Sequence, residues 1–193
     1  MKAALWGPGA WHALVVSAYA ASTAEELQAV QSLCDAMGKV LPCPHCRSNY
    51  PRHRRRARRN FPALRSNLEA VSYVHTIKDG VNRDLSQRSI PVCDLVMRLT
   101  LSKNRCDDVA VVDMLLYFAY GIQEEGEAVH EQFVDLCHAL ASTLPLPADS
   151  ALRELLPQAS RPIIRYALDL NRHTREEHGL RGVSGAQVRS AAK

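Results

Sequence analysis

The sequence predicts an all-α protein, on three observations. Almost every segment places its apolar residues at helical spacing, and signals typical of helix starts and ends separate these segments. No segment alternates apolar and polar residues between turn signals, as a half-buried strand does. The chain has 193 residues, of which 47% are hydrophobic, so we expect a substantial core.

The first half predicts four helices, over about residues 10–22, 23–41, 43–60 and 66–85. In the first, the segment AWHALVVSAYAAS places Trp11 and Tyr19 on one side of the helix. Thr23 followed by Glu26 is a capping-box pattern at the start of the second helix, and Pro42 ends it. The third helix carries a run of arginines, and the fourth has an apolar stripe at helical spacing.

The second half predicts a short helical segment at residues 92–101, helices at 107–123, 127–143 and 161–177, and a shorter one near 148–156. The apolar run VAVVDMLLYF is also compatible with a buried strand, but its length and the preceding Asp107 and Asp108 favour a helix. The tail from Gly179 to Lys193 consists largely of Gly, Ser, Ala and Arg, and we expect it to be frayed.

The N-terminal segment has features of a signal peptide, namely an early lysine, an apolar stretch and a small-residue end. The GPG at residues 7–9 and His12 interrupt the apolar region, so we do not expect cleavage. The longest apolar run, residues 109–121, contains Asp113 and is too short to span a bilayer. The sequence therefore predicts a soluble protein.

The formal net charge is +4, and the segment RHRRRARR at residues 52–59 contributes a dense cluster of arginines. Clustered arginines are able to neutralise phosphates, which keeps nucleic-acid binding as an alternative. No aromatic residue is interleaved with them, and the rest of the chain is close to neutral. A solvated helix face, or a docking surface for an acidic partner, is the favoured interpretation.

The motif PCPHC places Cys43 and Cys46 with Pro44 and His45 between them, directly after a capped helix. Pro44 suits the first position of a helix, so Cys43 is predicted at a helix N-terminus, where exposed N–H groups favour a thiolate. This context favours a redox-active disulfide. A thioredoxin fold is not expected, because it requires a strand before the motif and a parallel sheet around it.

Two other interpretations of the CxxC stay open. A structural zinc site needs four ligands, and the other cysteines form no second close pair. The histidines near the motif, His45, His53 and His75, match no common zinc spacing. The remaining possibility is that both cysteines are ordinary half-buried thiols, although a CxxC at a proline-marked helix start is less often without function.

The order of three elements resembles the Erv/ALR family of flavin-dependent sulfhydryl oxidases. These elements are a WGP…W pattern at residues 6–11, a helix ending in PCxxC at residues 42–46, and KDGVNRDL at residues 78–85, where the family has HNxVNxxL. The resemblance covers about residues 4–95, and PCPHCRSNY looks most like the virus-encoded branch. Each match alone is weak, whereas three in the right order support one another.

The resemblance implies a four- or five-helix, Erv-type FAD-binding bundle over residues 1–105, followed by a C-terminal helical region at 106–180 and a flexible tail at 181–193. It implies oxidation of protein dithiols with reduction of molecular oxygen to hydrogen peroxide, and a homodimer. For a viral protein, the expected location is the host cytoplasm or the virion. The C-terminal helices are either a module for dimerisation or substrate recognition, or a structural extension.

The resemblance also implies roles for individual residues. Cys43 is the exchanging sulfur that a substrate thiolate attacks, and Cys46 is the sulfur next to the flavin. The candidate FAD contacts are Trp6, Gly7, Trp11, Tyr19, Tyr50, Tyr73, Lys78, Val81 and Asn82. For Trp11 and Tyr19 the alternative is ordinary core packing, and for Asn82 it is a position on the helix surface.

The sequence departs from the family pattern at several flavin contacts. Lys78 stands where the family has its motif histidine, and Asp79 where it has asparagine. Tyr73 occupies the place of an aromatic residue that is usually tryptophan, and His75 that of a structural cysteine. Val15 replaces a histidine of the first helix. The alternatives are therefore an inactive relative that acts as a helical interaction module, or a thioredoxin-like disulfide exchanger.

The other cysteines have less definite roles. Cys34 is either a shuttle, part of a structural bridge or, as its place in an apolar stripe favours, a buried thiol. Cys93 and Cys106 are able to form a bridge that closes a short loop, and Cys137 is expected in the core.

Overall fold

A computed structural model describes residues 3–103, 105–160 and 162–192 of the chain. This part of the chain forms ten α-helices and one short 3-10 turn (Leu156–Gln158) and contains no strand, which confirms the predicted all-α class. The helices are α1 (Ala3–Ala20), α2 (Ala24–Lys39), α3 (Pro44–Asn60), α4 (Asn67–Asp84), α5 (Val92–Leu101), α6 (Asp108–Gly121), α7 (Glu127–Thr143), α8 (Ala151–Leu155), α9 (Ile163–Glu177) and α10 (Gly185–Ala192).

The capping signals in the sequence fix several of these boundaries. At α2, Thr23 accepts a hydrogen bond from the Glu26 N–H and the Glu26 carboxylate accepts one from the Thr23 N–H, as the capping box predicts. One prediction was wrong: α1 begins at Ala3, earlier than expected, and continues through Pro8. The start of α9 that the sequence predicted at Arg161 lies outside the described residues.

Helix α1 lies at the centre of the fold, with α4 on one side and α6 on another. Gly9 allows the contact with α6, because a Cβ there would lie 2.3 Å from the carbonyl oxygen of Ala110. The Trp6 ring meets Phe118 of α6 edge to face, with ring centroids 5.5 Å apart. Helix α2 packs against α7, and α6 packs against α9. The motif-bearing helices and the C-terminal helices therefore share one core.

A polar cluster joins α6 to α9 at the edge of this core. The Arg175 guanidinium donates to both carboxylate oxygens of Asp113, at 2.8 and 3.2 Å, and the Asn171 side chain donates to the same carboxylate at 2.7 Å. The buried Asn171 also accepts a hydrogen bond from the Val183 N–H, which ties the segment after α9 to that helix.

The C-terminal tail differs from the frayed segment that the sequence analysis expected. Ser184 and Gln187 form a reciprocal pair of backbone-to-side-chain hydrogen bonds at the start of α10, a capping box of the S-x-x-Q type. Val188 is fully buried, and the Arg189 guanidinium lies 5.9 Å from the centre of the Tyr120 ring. The cap thus stabilises the start of this short helix, and the contact between Arg189 and Tyr120 joins it to α6. Within the described ranges, no helix is long and apolar enough to cross a membrane.

Candidate functional site

The CxxC motif lies at the N-terminus of α3, as the sequence predicts. Cys43 is the N-cap residue, and Pro44 begins the helix. The Cys43 sulfur accepts a hydrogen bond from the Cys46 N–H at 3.2 Å, so it uses one of the unpaired N–H groups of the first turn. Both cysteines are half-buried free thiols. The motif is therefore accessible and stands in its dithiol form.

The two sulfurs have different surroundings. Burial, followed by the hydrogen bond and the charge of the Cys43 side chain, raises the pKa of the Cys46 thiol to about 12. Cys46 thus keeps its proton near neutral pH. Two of these three causes come from Cys43 itself, so they change as soon as the Cys43 sulfur enters a mixed disulfide.

One face of α3 continues from Cys46 into the interior of the molecule. Residues three, four and seven positions further on share the face of Cys46, because an α-helix has about 3.6 residues per turn. These residues are Asn49, Tyr50 and His53, and all of them line the same cavity as Cys46. Helix α3 therefore exposes Cys43 at its N-terminal end, and the face of α3 that includes Cys46 forms part of the cavity wall.

This cavity has a volume of about 770 Å³, within the range of roughly 300–1,000 Å³ that is typical of small-molecule sites. Helices α1 to α5, together with the segments after α2 and between α4 and α5, enclose it. Its lining includes Trp6, Gly7, Trp11, Val15, Cys46, Asn49, Tyr50, His53, Lys78, Val81, Asn82, Leu95 and Arg98. Two tryptophans and a tyrosine thus share a largely apolar enclosure with one cysteine of the motif.

A histidine–carboxylate pair forms part of the wall. His53 is 6% exposed, and its Nε2 lies 2.8 Å from a carboxylate oxygen of Asp84, to which Arg52 also donates at 2.6 Å. Partial desolvation raises the pKa of Asp84, but His53 and Arg52 outweigh it, so the pKa lies below its ordinary value. Gly80 makes room for the His53 ring, because a Cβ there would lie 2.3 Å from Nδ1.

Three further groups give the cavity its electrostatic character. Burial, together with the like charge of Arg98, lowers the pKa of the Lys78 ammonium. Burial also lowers the pKa of His12, against the opposing effect of Asp107 and Asp108. The His12 Nε2 accepts a hydrogen bond from the Asp107 N–H at 2.7 Å, so that nitrogen is a lone-pair acceptor. The two cations, Lys78 and Arg98, make the α4–α5 side of the cavity positive.

The structure brings most of the predicted site residues together. Beside Cys46, the cavity is lined by seven of the residues that the sequence analysis proposed as FAD contacts: Trp6, Gly7, Trp11, Tyr50, Lys78, Val81 and Asn82. Asn82 is buried and donates to Ser89 at 3.0 Å, so the alternative of a helix-surface position is wrong. Val15, which stands in the place of a family histidine, also lines the cavity.

Two predicted aromatic contacts lie elsewhere. Tyr73 is fully buried outside the cavity lining. It lies five positions before Lys78, which places it about 140° away from Lys78 around α4. Burial and the nearby Cys34 raise its pKa to about 12. Tyr19 lies about 12 Å along α1 from Trp11, and its hydroxyl pairs with that of Thr100 at 2.9 Å. Cys43 also lies outside the lining, at the helix tip.

Several cavity residues escaped the sequence analysis. Asn49 and His53 follow Cys46 at helical spacing, a signal that the dense arginine run obscured. The helical period alone was sufficient to place them beside Tyr50. Arg98 and Leu95 belong to α5, and no local pattern in the sequence indicates which helix α5 packs against.

The other cysteines form no bridges. Cys34 and Cys137 are buried, and the possible Cys93–Cys106 bridge is not formed, because both are free thiols. Burial, followed by the charge of Asp108, raises the pKa of Cys106. For the zinc alternative, the described residues contain no cluster of three or more His, Cys, Asp or Glu side chains that could hold a metal ion.

Comparison with protein-family models, with curated proteins and with solved structures gave no match for this chain.

Proposed function

We propose that this protein is an FAD-dependent sulfhydryl oxidase that forms disulfide bonds in protein dithiols and reduces oxygen to hydrogen peroxide. The observation that supports this function best is the position of Cys46. It belongs to a CxxC at a helix N-terminus, and it also lines a cavity of about 770 Å³ with three aromatic side chains in its wall. A redox-active cysteine pair beside an aromatic enclosure is the combination that a flavin-linked thiol oxidase needs.

The lining residues fit a flavin in their chemistry. Trp6, Trp11 and Tyr50 offer flat surfaces, and the buried indole N–H of Trp6 has no acceptor among the described residues. An orphaned buried donor of this kind suits the carbonyl and ring-nitrogen acceptors of a flavin. Lys78 and Arg98 supply the positive charge that the phosphates of FAD require. Bound there, a flavin would supply a two-electron acceptor for the dithiol that oxygen is able to reoxidise.

The cysteines divide the thiol chemistry between them. In the oxidised pair, a substrate thiolate attacks the Cys43 sulfur, the Cys43–Cys46 bond breaks, and Cys46 leaves as a thiolate. The second substrate thiol then attacks the mixed disulfide at the substrate sulfur, which releases the substrate disulfide and Cys43. The net reaction converts a dithiol and oxygen to a disulfide and hydrogen peroxide. The N–H of Cys46 favours negative charge on the departing Cys43 sulfur.

The test is to purify the protein, offer FAD, and measure flavin absorbance and oxygen consumption with dithiothreitol. We expect a yellow protein that consumes oxygen, and loss of oxygen consumption in Cys46→Ser with flavin binding retained. Cys137→Ser is the matched control, since this buried thiol lies outside the cavity lining. A protein that stays colourless after FAD is offered contradicts the proposal.

The same measurements separate the alternatives. A helical interaction module without cofactor would bind no flavin and leave oxygen untouched. A thioredoxin-like exchanger would reshuffle disulfides without consuming oxygen, and the described residues lack the strands of that fold.

A further inference from the structure

The arginines of α3 from Arg54 onward form two sets that differ in their contacts. Arg54 and Arg58 are both paired with the carboxylate of Asp35 on α2, at 2.7 and 3.0 Å. Arg55, Arg56 and Arg59 are exposed, and among the described residues none of them has a carboxylate within ion-pairing distance. The inner arginines thus join helices within the fold, whereas these outer ones are available to a partner.

The outer arginines and Arg52 lie on one stripe of the helix. With about 3.6 residues per turn, Arg52, Arg55, Arg56 and Arg59 fall within a sector of about 100°. The buried Ala57 lies on the opposite side of α3. Like charges three and four positions apart repel one another on an isolated helix. The stripe therefore concentrates positive charge that the fold itself does not compensate, apart from the ion pair between Arg52 and Asp84.

The same solvent-exposed face continues to the redox motif. From Arg52 toward the N-terminus, the exposed positions on this side are Ser48, His45 and Pro44, the last two lying between the cysteines. The helix rise of about 1.5 Å per residue places Arg52 about 13 Å and Arg59 about 24 Å from Cys43. An extended peptide covers these distances with roughly four to seven residues.

We infer that the exposed face of α3, defined by Arg52, Arg55, Arg56 and Arg59, is a docking surface for an acidic segment of the dithiol substrate. The segment lies about four to seven residues from the substrate cysteine that reacts with Cys43. This inference rests on the proposed oxidase function and adds the substrate class. An acidic protein segment fits better than a nucleic acid, because the stripe leads to the cysteine pair and contains no aromatic side chain on which a base stacks.

The test compares two peptide dithiols of the same length, one with a block of glutamates four to seven residues from its CxxC and one with serines there. We expect the glutamate peptide to have the lower KM, with a KM that rises with salt concentration. The variant R55E/R59E should raise that KM about ten-fold, since two favourable contacts become repulsive. Its kcat with dithiothreitol should not change.

The matched control is R165E/R181E, which makes the same change of net charge at exposed arginines of the C-terminal region. It should leave the KM of the glutamate peptide within about two-fold of the parent value, since it leaves the arginines of the stripe unchanged. Equal KM values for the two peptides, or an unchanged KM in R55E/R59E, would overturn the docking surface. So would preferential binding of a DNA oligonucleotide over the glutamate peptide, lost in R55E/R59E, because it would assign the stripe to nucleic acid.

Direct binding separates this inference from the function on which it rests. Anisotropy of a fluorescent glutamate peptide, with its cysteines replaced by serines, reports docking without turnover. If the parent protein oxidises dithiothreitol but does not bind this peptide, the docking surface is wrong and the oxidase stands. If it binds the peptide through the stripe but consumes no oxygen with any dithiol, the oxidase is wrong and the acidic-partner surface stands.

Discussion

The contact between Gly80 and His53 allows a quantitative test of the cavity wall. In Gly80→Ala the three atoms nearest to the new Cβ would all belong to the His53 ring, at 2.3, 2.9 and 3.2 Å. Ordinary contact begins near 3.4 Å, so the ring or α4 has to move by about 1 Å. Overpacking of this kind costs about 1–3 kcal/mol, whereas Ala in place of Gly favours a helix by about 1 kcal/mol.

A double-mutant cycle with His53→Ala distinguishes the strain at Gly80→Ala from its gain in helix propensity. In the parent protein, Gly80→Ala should lower the free energy of unfolding by up to about 2 kcal/mol, since the strain outweighs the helix propensity. In a His53→Ala background the ring is gone, and the same change should raise that free energy by about 1 kcal/mol. The interaction between the two positions is then about 1–3 kcal/mol.

Urea titration followed by helical circular dichroism measures both values, because the change in midpoint at constant m reports the change in stability. The protein is best studied without flavin, so that ligand binding does not shift the apparent stability. If Gly80→Ala had the same effect in both backgrounds, the His53 ring would not contact α4 at Gly80, and the assigned cavity wall would be incorrect.

Three more predictions follow from individual contacts. Cys43→Ala removes the Cys43 hydrogen bond and charge but leaves the burial, so the pKa of Cys46 should fall from about 12, and its alkylation, mapped by mass spectrometry, should begin at lower pH. An unchanged profile would assign the whole shift to burial. Thr23→Ala removes the cap of α2 and should cost about 1 kcal/mol in urea titration; Ser32→Ala, on the exposed side of α2, should cost far less. Asp113→Ala leaves Arg175 without its partner and should lower the free energy of unfolding by about 2 kcal/mol in urea titration. If hydrogen bonding outweighs charge at this position, Asp113→Asn should recover most of that loss.

Capping residues and prolines predicted the helix boundaries that depend on residues close together in the sequence. The capping box at Thr23 and the proline at position 44 correctly predicted where α2 and α3 begin, and therefore the position of the CxxC at the start of α3. They failed at α1, where Pro8 within GPG reads as a helix breaker. In the structure the helix passes through Pro8, and its neighbours Gly7 and Gly9 are both buried.

The candidate site was predictable where motif and helical period agree. Trp11, Lys78 and Asn82 were placed by motif within predicted helices, and all line the cavity. Trp6 was placed by motif alone and also lines it. Tyr73 was also placed by motif, but its angular position on α4 points it away from that wall. Residues of α5 were not predictable, because the packing partner of a short amphipathic helix depends on tertiary contacts that no local pattern contains.

The C-terminal helices bear on the site although none of them lines the cavity. Helix α1 is apolar on nearly every side, a pattern typical of a helix that is buried all round. Its cavity side includes Trp6, Trp11 and Val15, and another side packs against α6 at the close approach of Gly9 to Ala110. Without α6, this second side of α1 would face water, and the Trp6 ring would lose Phe118. The boundary predicted near residue 105 therefore divides the chain into two regions. The position of α1, which forms one wall of the cavity, depends on both of them.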